Sequence, residues 1–198
     1  MAPDELPDPL AVALSFAALL ERLGVRYLIG GSFASSVHGE PRSTNNLDIV
    51  ADFQLEHVPR FVEMIGADYY VSADAMRDAV QSGGTFNVIH VHGGIKVDVF
   101  VAGHDPFNQE RLACREAVSL SSGSEQALFV DTAEHSILRK LEWFRRGDEV
   151  SERQWRDVLG ILRLQAERLD AARLDRWAVS LGVSDLLKRA QAEAAESS

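Results

Sequence analysis

Hydrophobic and polar positions follow two periods along the chain, and the change of period divides the sequence. Up to about residue 130, short apolar runs typical of strands alternate with segments whose apolar residues recur at helical spacing. After Thr132 only the helical spacing continues. Alternating strands and helices followed by helices alone predict an α/β core and a C-terminal helical part. We expect the core at residues 1–131 and the helical region at residues 132–198.

Glycine, proline and capping residues set the predicted ends of the elements. The predicted strands are Tyr27–Ile29, Leu47–Ala51, an edge strand at Tyr69–Val71, Phe86–Val91, Ile95–Val101, Ala117–Leu120 and Leu128–Val130. The predicted helices are Pro9–Leu23, a serine-rich helix ending at His38, Leu55–Ile65, Ala73–Gln81, Pro106–Cys114, Ala133–Arg146, Glu152–Glu167, Ala171–Leu181 and Ser184–Ala195. The His92-Gly93-Gly94 turn predicts a hairpin between two of the strands.

A candidate phosphate site follows the first strand. The apolar strand leads into Gly30, Gly31 and Ser32, and the serine-rich helix comes next. Glycine lets the backbone approach a ligand closely, and the N–H groups at the start of a helix favour an anion. The Ser32 hydroxyl adds a polar group to this turn. Taken alone, these residues would also fit an ordinary tight turn between a strand and a helix.

Carboxylates occupy the polar faces of two predicted strands. The alternation of polar and apolar residues after position 45 puts Asn46 and Asp48 on one face. In Ile95–Val101 the valines face one side, which leaves Lys96 and Asp98 on the other. Each acid by itself would also fit a solvated position at the edge of a sheet.

Together these residues resemble the nucleotidyltransferase fold superfamily of DNA polymerase beta, in particular its minimal nucleotidyltransferases and abortive-infection type toxins. In that family Gly-Ser is followed about a dozen residues later by Asp-x-Asp, usually introduced by Arg-x-Thr. Gly31 and Ser32 match the first element, Arg42 and Thr44 match the lead-in, and Asp48 matches the second acid. The resemblance implies an α/β (α+β) fold, with a small mixed β-sheet flanked by helices and followed by a C-terminal helical bundle.

The resemblance also implies roles for individual residues. Asp48 and Asp98 would be the catalytic metal ligands, and Asn46 would be a weakened third ligand because the family has aspartate at that position. The implied nucleotide-binding residues are Gly30, Gly31, Ser32, Arg42, Thr44, Lys140 and Asp157. The last two lie on successive predicted helices, where an ordinary salt bridge between helices is an equal alternative.

The activity implied by the resemblance is transfer of a nucleoside monophosphate from an NTP to a hydroxyl of a protein or a tRNA. Mg²⁺ or Mn²⁺ would clamp the triphosphate and activate the acceptor. By the same analogy, an antitoxin or other cognate partner protein is expected. Two alternatives stay open: a nucleotide-binding or interaction protein whose catalysis is impaired by Asn46, and an enzyme with a deliberate inactivating substitution at that position.

Composition and charge narrow the function classes. The formal net charge of −10 argues against broad binding to nucleic acid or to anionic membranes. Cys114 is the only cysteine, which favours a reducing compartment. The apolar run Ala11–Leu20 is too short to span a bilayer and follows acidic rather than basic residues. We therefore expect a soluble cytoplasmic protein.

Two further groups of residues favour structural roles. The histidines lack the paired spacing of a zinc site, and the single cysteine cannot complete one. The aromatic residues of the helical region recur at helical spacing and are expected in its core. These aromatic residues are Trp143, Phe144, Trp155 and Trp177.

Overall fold

The computed structural model describes residues 8–41, 44–119 and 127–196. The described residues within Met1–Gly30 and Ser43–Val130 form one compact unit, here called the sheet unit. Those within Gly31–Arg42 and Asp131–Ser198 form a second, here called the helical unit. The units do not follow the order of the chain, because Gly31–Arg42 belongs to the helical unit. The predicted domains over 1–131 and 132–198 remain a prediction.

The described residues form helices and strands whose ends agree with the prediction to within about two residues, the usual uncertainty of such ends. The strands are β1 Tyr27–Ile29, β2 Asn46–Ala51, β3 Tyr69–Val71, β4 Thr85–His90, β5 Lys96–Val101, β6 Glu116–Ser119 and β7 Ala127–Val130. The helices are α1 Pro9–Arg22, α2 Gly31–His38, α3 His57–Met64, α4 Ala73–Ser82, α5 Pro106–Cys114, α6 Ala133–Arg146, α7 Glu152–Gln165, α8 Ala171–Ser180 and α9 Ser184–Glu196.

The strands of the sheet unit form a seven-stranded mixed sheet in the order β3-β4-β5-β2-β1-β7-β6. Strands β2 and β5 are parallel, as are β1 and β7, whereas the other neighbours are antiparallel. The short strand β3 lies at one edge, as predicted. The α/β (α+β) class and the mixed sheet are therefore confirmed.

The core of the sheet unit forms where apolar faces of strands and helices meet. Strand β5 alternates as predicted, because Val97 and Val99 are fully buried while Asp98 between them is partly exposed. Aromatic rings fill the same core, with Phe53 in edge contact with Phe61 at 5.2 Å and with Phe86 at 5.6 Å. The apolar face of β5 thus holds its polar face in a defined orientation.

Two details of the sheet unit differ from the prediction. Helix α3 begins at His57 rather than Leu55, because the Gln54 backbone N–H donates to His57 Nδ1 (2.9 Å) and holds a turn before the helix. Strand β4 ends at His90, where the backbone N–H donates to the Ile95 carbonyl oxygen (2.9 Å). The hairpin loop therefore starts one residue earlier than predicted.

Tyr27, the first residue of β1, is buried and carries a perturbed hydroxyl. Its Oη donates to Glu21 Oε1 (3.1 Å). Burial raises the pKa of the Tyr27 hydroxyl, and the charge and hydrogen bond of the Glu21 carboxylate raise it further. The hydroxyl therefore stays protonated and acts as a structural donor beneath the start of the strand.

The helical unit is built on buried apolar residues of α6, α7 and α9. Ile137, Leu138 and Leu141 of α6 are fully buried. Helix α6 starts as predicted, since Thr132 Oγ1 accepts a hydrogen bond from the His135 backbone N–H (3.3 Å). Helix α2 also packs in this unit, where Gly39 leaves no room for a Cβ atom between Ser35 and Ile161.

The aromatic residues of the helical unit do not all lie in its core. Phe144 and Trp155 are buried, and their rings are 5.1 Å apart. Trp143 is 44% exposed, so its expected core position is wrong. Neighbouring residues on a helix point about 100° apart, and near the end of α6 the core side is taken by Phe144, which leaves Trp143 at its margin. The Arg146 guanidinium lies over the Trp143 ring instead.

None of the helices in the described part of the chain is long and apolar enough to cross a membrane.

Candidate active site

Asp48 and Asp98 lie directly opposite each other on adjacent parallel strands of the sheet unit. The register pairs Asp48 of β2 with Asp98 of β5. Neighbouring strands are about 4.8 Å apart, and directly paired residues project from the same face of a sheet. The fully buried Leu47 and Ile49 project from the opposite face into the core. The two carboxylates are therefore held side by side on the partly exposed face.

Asn46 lies on the same face as Asp48, two residues earlier in β2, and is exposed. Thr44 fixes the backbone there, because its Oγ1 accepts from the Asn46 N–H (3.3 Å) and donates to the Asn46 carbonyl oxygen (2.9 Å). Arg42 lies outside the described residues. The nucleotide-binding roles assigned to Thr44 and Arg42 stay predictions.

Lys96 is a site residue to which the sequence reasoning assigned no role. Its Nζ lies 2.7 Å from Asp98 Oδ1, and the register pairs Lys96 with Asn46. The signal was present in the sequence, since the Lys-x-Asp spacing on a strand puts both side chains on one face. The pairing with Asn46 depends on the sheet and could not be read from β5 alone.

The glycine turn after β1 is tied to the strand that carries Asp48. The Gly30 backbone N–H donates to the Asp48 carbonyl oxygen (2.8 Å). Gly31, the next residue, begins α2 with φ of +55°, a conformation that strains residues with a side chain. Ser32 is the second residue of this helix. The turn therefore favours glycine, and its role in binding phosphates stays a prediction.

Hydroxyl groups further along α2 are used within the helix. Ser35 Oγ donates to the Gly31 carbonyl oxygen (2.7 Å), and Ser36 Oγ donates to the Ser32 carbonyl oxygen (3.0 Å). Such bonds to the preceding turn are common for serine in helices. Of the three serines, Ser32 is the one at the start of the helix, where the first N–H groups have no acceptor within a helix.

The structure brings Lys140 and Asp157 together in the helical unit. Lys140 Nζ lies 2.6 Å from Asp157 Oδ2 and donates to Gln154 Oε1 (3.2 Å). Their side chains are 6% and 9% exposed. The pair therefore links α6 to α7 in a buried environment. Its assignment to nucleotide binding stays a prediction.

Comparison with solved structures identifies the fold. The chain is similar to the antibiotic-resistance factor ANT(2'')-Ia, with a TM-score of 0.54, 16% identity, and coverage of 92% of this chain and 97% of that chain. It is also similar to an antigenic nucleotidyltransferase-like protein from Paracoccidioides brasiliensis, with a TM-score of 0.53, 15% identity, and coverage of 91% and 90%. The chain has a nucleotidyltransferase fold. The predicted resemblance is thus confirmed at the level of the fold.

The comparisons of sequence, unlike those of structure, find no match for this chain. No protein-family model matches it, and no curated protein matches its sequence. At 15–16% identity, the structural similarity shows a shared fold and does not identify a substrate.

The polar side chains beside Asp48 and Asp98 in this nucleotidyltransferase fold suit a hard cation. Mg²⁺ and Mn²⁺ prefer oxygen ligands, and Mg²⁺ is usually held by one or two carboxylates together with substrate phosphates. Asp48 and Asp98 supply two carboxylates and Asn46 an amide oxygen. Within residues 8–41, 44–119 and 127–196, no group of three His, Cys, Asp or Glu side chains could hold a metal ion. The available ligands therefore fit a carboxylate pair rather than a triad.

Proposed function

We propose that this protein is a nucleotidyltransferase that moves a nucleoside monophosphate from an NTP to a hydroxyl group. The direct pairing of Asp48 with Asp98 on the partly exposed part of the sheet carries the proposal. Two oxygen ligands held in register on rigid strands form a suitable cradle for a divalent cation and a triphosphate. The nucleotidyltransferase fold supports the same reaction class.

In the proposed reaction, the acceptor oxygen forms a bond to the α-phosphorus of the NTP. The bond from the α-phosphorus to the bridging oxygen breaks, and pyrophosphate leaves with the electron pair. Asp98 favours loss of the acceptor proton by accepting it on its carboxylate. Mg²⁺ or Mn²⁺, held by Asp48 and Asp98 with Asn46 as a weaker ligand, would supply positive charge to the phosphate oxygens.

The phosphates of the NTP are assigned to the turn that follows β1. Gly31 and Ser32 are the proposed contacts, with Gly30 holding the turn to the Asp48 carbonyl oxygen. The positive φ of Gly31 and the start of α2 support this assignment, because amide groups at a helix start favour anions.

The acceptor and a partner protein follow from the family resemblance and from the charge of the chain. A hydroxyl of a protein or of a tRNA is expected from the family resemblance. The net charge of −10 favours a protein over a polyanionic tRNA. An antitoxin or another cognate protein partner is proposed on the same resemblance.

A second candidate function is a nucleotide-binding or interaction protein with impaired catalysis. Two observations favour it: position 46 has an amide where the family has a carboxylate, and the ammonium group of Lys96 lies on Asp98. Both lower the negative charge that would hold divalent cations. Nucleotide would then bind without being turned over.

Transfer of label separates the two candidates. The wild-type chain and its Asn46→Asp variant are incubated with each labelled NTP, Mg²⁺ or Mn²⁺, and cellular protein and tRNA. Label moved by both chains indicates an active enzyme in which Asn46 is a tolerated ligand. Label moved by the variant alone indicates an intact site that is inactive at one position. Absence of transfer by both, with NTP still bound, indicates the binding protein.

Asp48→Ala provides the loss-of-function test in whichever chain transfers label. Removing this carboxylate should lower the transfer rate by about a hundredfold or more, the usual effect of deleting a charge-stabilising group. Asp78→Ala, at an exposed position on α4 of the same unit, is the matched control and should leave the rate unchanged. An Asp48→Ala chain as active as wild type would exclude the assignment of Asp48 as a ligand.

A further inference from the structure

The ion pair of Lys96 with Asp98 is not explained by its contribution to folding stability. Lys96 Nζ and Asp98 Oδ1 lie 2.7 Å apart on the partly exposed part of the sheet, where the Asp98 side chain is 17% exposed. The Lys96 side chain is 43% exposed, and ion pairs in contact with water contribute little to folding. Yet the pair engages one of the two carboxylates on which the proposed reaction depends.

The register of β2 and β5 arranges four polar residues in two rows. One row pairs Asp48 with Asp98, and the other pairs Asn46 with Lys96. Adjacent strands are about 4.8 Å apart and residues two apart on a strand about 6.8 Å, so the four residues occupy one small area. The four residues together carry two negative charges and one positive charge.

This charge balance differs from what two divalent cations require. Two-metal sites hold their ions roughly 3.5–4 Å apart, and the repulsion between the ions must be offset by several anionic ligands. Taken together, Asp48, Asp98, Asn46 and Lys96 carry an excess of only one negative charge. An aspartate at position 46 would raise this excess by one, whereas the neutral Asn46 adds no charge and Lys96 lowers the excess by one.

We propose that Lys96 replaces one of the two divalent cations, so that this site binds a single divalent ion together with the Lys96 ammonium group. Lysine carries a compact positive charge that suits phosphate oxygens. Lys96 is thereby a substrate-binding residue for the triphosphate, paired with Asp98 until nucleotide enters. The inference rests on the proposed function, since it takes an NTP and a divalent cation as the ligands.

Counting bound Mn²⁺ tests the inference without any turnover. Each chain is titrated with Mn²⁺ in the presence of NTP analogues that carry a methylene bridge between the α- and β-phosphates. Calorimetry gives the number of ions per chain, and electron paramagnetic resonance detects the spin coupling of two ions at roughly 4 Å or less. The chains are wild type, Lys96→Met, Lys96→Arg, and the double variant Asn46→Asp with Lys96→Met.

Wild type is expected to bind one Mn²⁺ with an uncoupled spectrum. Lys96→Met should bind the first ion about tenfold more tightly, because a positive charge next to Asp98 has been removed. The double variant should bind two spin-coupled ions. Lys96→Arg keeps the charge and should behave as wild type, and so should Lys188→Met, a lysine variant on an exposed part of α9.

Any of three results would overturn the inference: two spin-coupled ions in wild type, a single ion in the double variant, or no Mn²⁺ in any chain. These outcomes are independent of the transfer assay described above. One ion in wild type and two in the double variant, with no label transferred by either, would overturn the proposed function and support the metal count. The two failures are thus distinguishable.

Discussion

Two lysine–aspartate pairs with nearly the same separation lie in contrasting environments. In the sheet unit, Lys96 and Asp98 are 2.7 Å apart, with side chains 43% and 17% exposed. In the helical unit, Lys140 and Asp157 are 2.6 Å apart, with side chains 6% and 9% exposed. Distance alone would treat the two pairs as equivalent, whereas burial separates them.

The difference shows how burial decides what an ion pair can do. Around Lys96, which is half-exposed, water screens the attraction to Asp98 more than it does at the buried pair, so a cation or a phosphate can replace a partner at a lower cost. Around Lys140 and Asp157, both charges have lost their water, and each depends on the other. The exposed pair is therefore suited to exchange ligands, and the buried pair is suited to hold α6 and α7 together.

The largest expected effect is on the stability of the buried pair. Lys140→Met removes the positive charge beside the buried Asp157 carboxylate and should lower the free energy of unfolding by about 3–5 kcal/mol. Urea denaturation followed by circular dichroism measures the change. A loss below about 1 kcal/mol would mean that the pair is far better hydrated than its burial indicates.

A double variant of the buried pair separates the effect of charge from the effect of packing. Lys140→Met combined with Asp157→Leu removes both charges and fills the same space with apolar groups. Such replacements of a buried ion pair are often neutral or stabilising, so the double variant should recover at least about half of the lost stability. A double variant as unstable as the single one would attribute the loss to packing and not to charge.

A smaller effect is expected at the exposed pair. Lys96→Met should change the free energy of unfolding by no more than about 1 kcal/mol, since water replaces the lost partner of Asp98. The same urea titration measures it, with Lys188→Met as the control on an exposed part of the chain. A loss as large as that of Lys140→Met would remove the contrast between the two pairs.

The smallest effect concerns a third ion pair, on the surface of the helical unit. Hydrogen bonds from Arg145 to the Asp185 carboxylate, at 2.6 and 2.7 Å, lower the pKa of Asp185, and the same hydrogen bonds raise the pKa of Arg145. A lowered carboxyl pKa in the folded state stabilises the protein above the unfolded pKa of about 3.9. This contribution is lost as the pH falls through the folded pKa.

Asp185→Asn should therefore be slightly less stable than wild type near neutral pH and equally stable at strongly acid pH. The carboxyl resonance of Asp185 should titrate below that of an unpaired aspartate, as followed by nuclear magnetic resonance. An unshifted titration would show that the exposed pair does not persist in solution.

The sequence predicted most of the secondary structure because its signals are local. The sequence predicts a helix from Ala133, and Thr132 Oγ1 accepts the His135 N–H at that start. The alternation of β5 likewise needs only neighbouring residues. Trp143 was misplaced because helical spacing alone does not say which of two adjacent aromatic residues faces the core.

By itself, the sequence determined the order of strands and helices, the mixed α/β class, and the residue types available for chemistry. Only the tertiary structure decided which of them meet. Asp48 and Asp98 are brought into register by the parallel pairing of β2 with β5, and Lys96 is thereby set opposite Asn46. Strand pairing and burial depend on residues far apart along the chain, so no local pattern could distinguish the exposed lysine pair from the buried one.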